Sequence, residues 1–155
     1  MDLILRKNHL VIFLILIFIV FAATVCVYAD SLTKEIKVKI HNKTYTFELA
    51  ETKQERSKGL MFRKELAPDS GMFFIFNKPD YLTFYMKHTI IPLDIAFIDQ
   101  NLTIVDIRKL HPLDTTFVTS KAKAIYALEV NRGFFQRVGL KPGDKIELIT
   151  NLLEQ

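Results

Sequence analysis

Three residue types that commonly carry chemistry occur close together in the segment YMKHTIIPLDIAF, residues 85–97. Lys87, His88 and Asp94 supply an amine, an imidazole and a carboxylate, groups that act as general acids and bases or orient a ligand. In an extended strand successive side chains point to opposite faces, so Lys87 and His88 should not enter one pocket. The alternation favours Lys87 and Asp94 as a pair over a triad that includes the histidine.

Asp94 and Glu129 are carboxylates that period-two alternation places on strand faces shared with apolar residues. A buried carboxylate without a partner takes up a proton or finds a cation, and the available cations are Lys87, Arg63 and Arg132. Two interpretations stay open at this point. The carboxylates form buried ion pairs that fix strand register, or they line a pocket that binds or activates a ligand.

Several common site types have no matching pattern in the sequence. His41, His88 and His111 show no metal-ligand spacing, and neither a G-x-S-x-G elbow nor a phosphate-binding or dinucleotide-binding glycine pattern occurs. We therefore predict no metal site and no cofactor. The formal net charge of +4 is mild and evenly scattered, which argues against nucleic acid as a partner.

The first 29 residues have the pattern of a secretory signal peptide. Arg6 and Lys7 precede an apolar run, and small residues end at Ala29, so cleavage is expected before Asp30. The apolar residues 10–28 are also long enough for an uncleaved membrane anchor. In both cases the domain is exported to the periplasm or the exterior, and it meets a membrane only through residues 10–28 if the leader stays. The single cysteine, Cys26, lies in this leader.

The remaining residues, 30–155, suit one β-rich domain. Alternating segments at 34–40 and 44–49 predict a hairpin, and the capping-box pair Thr52 and Glu55 predicts a short helix that ends at Gly59. Two further strands, GMFFIF and YLTFYM, are expected to pair with each other.

The second half of the sequence predicts PLDIAFID and LTIVDIRKL as strands joined by a turn, then AIYALEV, a short helix ending near Gly139, and a final strand at residues 145–148. The predicted fold is mainly β, a compact antiparallel barrel or sandwich of seven to eight short strands with two short helices.

Five segments in a fixed order resemble one protein family. They are ERSKGLMFRKEL, GMFFIF, FYMKHTIIPLDIAFID, YALEVNRGFF and GLKPGDKIEL. Together they resemble the domain of unknown function 192, over roughly residues 45–148. The resemblance implies a compact, mainly β domain that is common in bacteria and archaea and often follows a signal peptide. It implies no established activity.

The family's G-L-M-x-R element matches Gly59 to Arg63, and its (W/Y)-M-K-N-T element matches Tyr85 to Thr89. Its P-L-D element ends at Asp94 and its L-E element ends at Glu129. The departure is His88, where the family typically has asparagine. Because histidine replaces only part of an asparagine's hydrogen bonding, the difference favours a structural or ligand-orienting role for this position.

These observations favour a binding module over an enzyme, because no nucleophile or metal constellation is present. Its ligand would be a small polar or anionic molecule or an extended segment of a protein partner. The candidate binding residues are Arg63, Lys87, His88, Thr89, Asp94 and Glu129. One alternative is a hydrolase or lyase in which Glu129 or Asp94 acts as general base and Lys87 stabilises an oxyanion. Another is a structural accessory domain of the cell envelope.

Overall fold

The structure is a computed structural model that describes residues 34–149. The predicted leader, residues 1–29, lies outside the described residues, so the signal peptide and the membrane anchor stay predictions. Between residues 34 and 149 no helix is long and apolar enough to cross a membrane.

Nine strands and two short helices occur within residues 34–149. The strands are β1 (Glu35–Ile40), β2 (Lys43–Ala50), β3 (Gly71–Asp80), β4 (Thr83–Phe84), β5 (Leu93–Ile98), β6 (Ile104–Leu110), β7 (Val118–Thr119), β8 (Ala124–Asn131) and β9 (Ile146–Ile149). The helices are α1 (Lys53–Lys58) and α2 (Phe134–Val138).

Seven strands form one sheet in the order β6-β5-β8-β3-β2-β1-β9, and β4 pairs with β7 in a separate ribbon. Within the large sheet only β2 and β3 run parallel. Thr103, beside β6, forms an antiparallel bridge with Lys145, beside β9, so the two ends of the sheet approach each other. The sheet is therefore a curled half-barrel, which confirms the predicted mainly β fold.

Both faces of the curled sheet carry apolar side chains. Phe73 and Leu128 point to one face, where Phe134 of α2 joins the buried cluster. Phe74 and Phe97 point to the other face, which is covered by buried residues of β4 and its neighbouring loops. A polar side chain in a central strand is therefore buried whichever way it points.

The capping box predicted for α1 is present. The Thr52 hydroxyl accepts from the Glu55 N–H at 3.2 Å, and the Glu55 carboxylate accepts from the Thr52 N–H at 2.8 Å. Gly59 ends the helix at φ 47°, a backbone conformation that glycine adopts more readily than other residues. This turn directs Leu60 and Met61 back towards the sheet.

Two predictions about the segment after β3 were wrong. β3 pairs with β2 and β8 rather than with β4, whose partner is the unpredicted strand β7. The strand expected over YLTFYM extends only across Thr83 and Phe84, and the chain then turns. Lys87 and His88 consequently lie in an exposed turn, with His88 at φ 57°, instead of on opposite faces of a strand.

Candidate ligand-binding cavity

A cavity of about 410 Å³ lies between α1 and the sheet face that carries Phe74. Its lining comes from α1 and the three residues after it, from β3 and β4, from the loop after β4, and from one residue of β8. The lining residues are Lys53, Arg56, Ser57, Lys58, Gly59, Leu60, Met61, Phe74, Phe76, Thr83, Phe84, Tyr85, Thr89 and Glu129. Cationic, aromatic and acidic groups thus converge on one space.

Glu129 is the acidic group of this cavity and the only lining residue from β8. It lies near the middle of the sheet, opposite Met72 on β3 and Ile95 on β5, and it is 5% exposed. No group within residues 34–149 donates a hydrogen bond to its carboxyl or forms a salt bridge with it. Burial raises the pKa of Glu129 to about 8, so the carboxyl is mostly protonated at neutral pH.

Aromatic rings form much of the cavity wall. The ring of Phe84 meets those of Phe74 and Phe76 edge-on, with centroid separations of 5.1 and 6.2 Å. Such edge-to-face contacts hold the rings in a defined orientation. The wall therefore presents an ordered apolar surface against which a flat ligand can pack.

Three basic residues of α1 line the cavity. Arg56 is held in place, since its guanidinium donates to the carbonyl oxygens of Ile75, at 2.8 Å, and Glu51, and lies 4.9 Å from the centre of the Phe76 ring. Lys53 and Lys58 are exposed and form no ion pair with any residue of the described part. These two ammonium groups remain available to an anion.

Only two of the predicted binding residues, Thr89 and Glu129, line the cavity. Thr89 is buried, and its hydroxyl is 3.4 Å from the carbonyl oxygen of Lys87. Lys87 itself is exposed and forms no ion pair within residues 34–149. His88 is exposed and stacks on Phe62, with ring centroids 5.1 Å apart.

Arg63 and Asp94 take part in ion pairs away from the cavity lining. Arg63 binds both carboxylate oxygens of Glu48, one of them at 2.6 Å, and both partners are half-buried. Asp94 accepts from the Gly133 N–H at 2.7 Å and lies 3.0 Å from the Arg132 Nε. The Nε proton points to the Leu93 carbonyl oxygen at 3.1 Å, so the contact with Asp94 is an ion pair rather than an aligned hydrogen bond.

Sequence reasoning missed two features of the polar architecture. Lys53 and Lys58 of α1 were not among the predicted binding residues, because nothing local in the sequence indicates that a sheet lies beneath this helix. Asp106 is 2% exposed on β6, with Arg108 and Lys121 each 3.6 Å away. Asp106 lies two residues after Ile104, so alternation places both side chains on the same face of β6, and this pattern could have indicated that Asp106 is buried.

Within residues 34–149, no three side chains of His, Cys, Asp or Glu converge in a way that could hold a metal ion. The cavity lining accordingly contains a single such side chain, Glu129, beside hydroxyl, ammonium and aromatic groups. These groups suit an organic ligand better than a bare cation.

Four of the five segments that carry the family resemblance meet at this cavity. The G-L-M element supplies Gly59 and Met61, GMFFIF supplies Phe74 and Phe76, the Y-M-K-H-T element supplies Tyr85 and Thr89, and the L-E element supplies Glu129. These elements are far apart in sequence, and the fold brings them to one place. The third residue of the P-L-D element, Asp94, faces the other side of the sheet.

Comparisons with known proteins agree with this resemblance. The DUF192 family model, described as an uncharacterised ACR, matches residues 36–148. The UPF0127 protein PH1112 of Pyrococcus horikoshii is 31% identical over 107 residues, which cover 66% of this chain and 86% of that protein.

Two crystal structures share the fold. One, a candidate transcription regulator from Sinorhizobium meliloti 1021, has a TM-score of 0.70 and 34% identity over 75% of this chain and 95% of its own. The other, a protein of unknown function from Novosphingobium aromaticivorans, has a TM-score of 0.67 and 39% identity over 74% of this chain and 84% of its own. The chain belongs to the domain of unknown function 192 family.

Proposed function

We propose that this domain is a binding module that holds a small organic molecule in the cavity between α1 and the sheet. The observation that carries the proposal is Glu129, a buried carboxyl that has no hydrogen-bond donor or salt-bridge partner within residues 34–149 and that lines an open cavity. Burying a polar group without a partner costs stability, and a bound ligand would supply the missing partner.

The lining predicts the chemical class of the ligand. At neutral pH the protonated Glu129 donates a hydrogen bond, so the ligand presents a carbonyl, ether or hydroxyl oxygen at that end. The rings of Phe74 and Phe84 favour a flat or aliphatic body. Lys53 and Lys58 favour a carboxylate or phosphate at the cavity mouth. A small anionic molecule with an apolar body satisfies all three requirements.

A thermal-shift screen of the full chain against organic carboxylates, phosphate esters, sugars and divalent metals tests the proposal. We expect a carboxylate or phosphate ester with an apolar body to raise the melting temperature, and calorimetry then gives its affinity. Glu129→Leu should weaken that affinity roughly tenfold, the equivalent of one lost hydrogen bond. Lys141→Gln, an exposed change outside the cavity, is the matched control. Stabilisation by no class of compound, or full affinity in Glu129→Leu, would count against the proposal.

A second function deserves a test because Glu129 combines a raised pKa with access to a cavity. A carboxyl that stays protonated at neutral pH is suited to donate a proton to a bound substrate, as in a lyase or hydrolase. Lys87 and Asp94 would not assist, since neither lines the cavity. If a ligand from the screen is converted, Glu129→Gln should abolish turnover while retaining binding. Unchanged turnover in that variant would exclude this role.

We further propose that the domain acts outside the cytoplasm, in the periplasm or beyond. The support is the leader pattern, with Arg6 and Lys7 ahead of the apolar residues 10–28 and Ala29 at the expected cleavage position. The intact mass of the protein recovered from the envelope fraction decides between cleavage before Asp30 and a retained anchor. Recovery of the whole chain in the soluble cytoplasmic fraction would contradict export.

A further inference from the structure

The segment from Arg56 to Arg63 runs along β3 and covers the cavity. At its start, the Arg56 guanidinium lies 4.9 Å from the centre of the Phe76 ring. Further along, a Cβ added to Gly59 would lie 3.6 Å from the Phe74 Cζ. Phe76 and Phe74 point to the same face of the sheet, because alternate residues of a strand do so. The segment therefore follows this face from the Phe76 end of β3 towards the start of the strand.

Arg63, at the end of this segment, lies over the part of the sheet that contains Glu129. Its guanidinium binds the Glu48 carboxylate at 2.6 Å. Glu48 is opposite Met72 on β3, and Met72 is opposite Glu129 on β8. Met72 and Phe76 are four residues apart on β3. At the ordinary rise of a strand, the Glu129 and Arg56 ends of the cavity are therefore about 13 Å apart.

Thr89 belongs to the same end of the cavity as Glu129. The Phe62 N–H donates to the His88 carbonyl oxygen at 2.8 Å, which brings the next residue, Thr89, to the end of the covering segment. Thr89 is buried, and within residues 34–149 its hydroxyl makes only the long contact of 3.4 Å with the Lys87 carbonyl oxygen. A hydroxyl and a carboxyl thus line this end without a short hydrogen bond to the described part of the chain.

Arg56 supplies a positive charge at the opposite end. Its Nη1 donates to the carbonyl oxygens of Glu51 and Ile75. Its Nε and Nη2 groups form no hydrogen bond with any residue between 34 and 149, and no carboxylate in that range forms an ion pair with it. A half-buried guanidinium that neutral carbonyls hold in place is prepared to bind a carboxylate through two parallel N–H groups. Lys53, one helical turn earlier, also lines the cavity and adds to the positive charge.

The lining between the two ends is apolar. Phe74 lies between Met72 and Phe76 on the same face of β3, and its ring meets that of Phe84 edge-on at 5.1 Å. Leu60 lines the cavity from the covering segment. The cavity therefore has a positive end, an apolar middle and a polar end that carries no charge at neutral pH.

We infer that the cavity binds an elongated carboxylate that carries an uncharged oxygen, as a hydroxyl or carbonyl group, at its far end. The ligand carboxylate binds Arg56, and its chain packs on Phe74 and Phe84. The distal oxygen accepts a hydrogen bond from Glu129 or Thr89. This inference rests on the proposed function and adds to it the position of each ligand group and a limit on ligand length.

Ligand length is the first test, and it needs no variant. Calorimetry on the full chain compares the ω-hydroxycarboxylates hydroxybutyrate, hydroxyhexanoate, hydroxyoctanoate and hydroxydodecanoate. We expect the affinity to peak at the hexanoate or octanoate, because a shorter chain cannot reach both polar ends and a longer chain does not fit between them. An affinity that increases steadily with chain length would overturn the inference, since burial of apolar surface alone gives that trend.

Two variants test the two ends separately. In the wild type, hydroxyoctanoate should bind roughly tenfold more tightly than octanediol, which lacks the carboxylate, and than octanoate, which lacks the hydroxyl. Arg56→Gln should abolish the preference over octanediol and retain the preference over octanoate. Glu129→Leu should do the reverse, and Lys141→Gln, an exposed change outside the cavity, should retain both preferences.

These ratios report ligand contacts rather than stability, so a merely structural role of Arg56 would not change them. If Arg56→Gln does not fold, Arg56→Lys, which lacks the planar fork, should still reduce the preference over octanediol severalfold. An unchanged preference in the folded variant would overturn the inference. Binding of a different class of compound in the cavity would overturn it and leave the proposed function standing, whereas stabilisation by no compound would remove both.

Discussion

Asp94 and Glu129 lie on neighbouring strands of the sheet but face opposite sides of it. In the register of β5 and β8, Ile95 is opposite Glu129 and Asp94 is opposite Val130. Asp94 meets Arg132 on its side, whereas Glu129 reaches the cavity on the other. Two carboxylates that look alike in the sequence therefore have different surroundings, an ion pair for Asp94 and a cavity for Glu129.

The stability of the domain should depend on pH through Glu129. Burial raises its pKa in the folded state from the ordinary 4.5 to about 8, so between these values only the folded state keeps the proton. The free energy of unfolding should consequently decrease as pH rises through this window, by at most about 1.4 kcal/mol per pH unit, and level off above it. Urea unfolding at several pH values measures this slope.

Glu129→Gln should remove most of that slope, because the amide occupies the same space without titrating. The free energy of unfolding of this variant should therefore rise relative to that of the wild type as pH rises. Glu35→Gln, an exposed change on β1, should keep the wild-type slope. A Glu129→Gln protein with the same pH dependence as the wild type would show that another group is responsible.

Asp94→Ala should destabilise the fold without changing ligand affinity. The substitution leaves the Gly133 N–H without its acceptor and Arg132 without its counter-ion. Because the guanidinium is 29% exposed and still donates to the Leu93 and Leu110 carbonyl oxygens, we expect a loss of about 1–3 kcal/mol. Asp94→Asn retains an acceptor for Gly133 and should cost less. Urea unfolding gives the loss, and calorimetry with a ligand found in the screen checks the affinity. A ligand defect at unchanged stability would place Asp94 in the site instead.

Arg63→Lys should cost about 1–2 kcal/mol, because an ammonium cannot reproduce the two parallel bonds from the guanidinium to Glu48. A double-mutant cycle with Arg63→Ala and Glu48→Ala isolates the energy of the pair from other effects of each change. Additive losses in that cycle would mean that the half-buried pair contributes nothing to stability.

Gly71→Ala should be strongly destabilising although it adds only a methyl group. A Cβ at this position would lie 2.3 Å from the carbonyl oxygen of Glu129 and 2.8 Å from the Val130 Cγ1. β3 and β8 would have to separate beside Glu129, and we expect a cost of about 1–3 kcal/mol or more. Ser70→Ala is the neighbouring control. A wild-type melting temperature in Gly71→Ala would contradict the close packing of these strands.

Strands and helices were predictable from the sequence where the interactions that form them involve only neighbouring residues. The capping box of Thr52 and Glu55, the turn between β5 and β6, and the alternation of Glu129 with apolar residues all appear in the sequence and in the structure. These signals act within a few residues, and nothing distant in the chain overrides them.

The site was harder to predict, because its members meet through pairings that are distant in sequence. The strand expected over YLTFYM ends at Phe84 because β4 pairs with β7, a partner of only two residues. That pairing places Lys87 in an exposed turn and leaves Thr89 to line the cavity. Period-two alternation does not continue through this turn, so the position that it predicted for Lys87 was wrong.

The pairing of the first and last strands has a consequence for protein engineering. Because β1 and β9 are antiparallel neighbours, with Lys37 opposite Ile149, the chain enters and leaves the described domain at the same edge of the sheet. A circular permutant joins these ends with a short linker and opens the chain at Gln100, in the exposed turn after β5. We expect it to keep the same cavity. Such a permutant would carry fusion partners on the turn before β6 and leave the β1–β9 edge free of them.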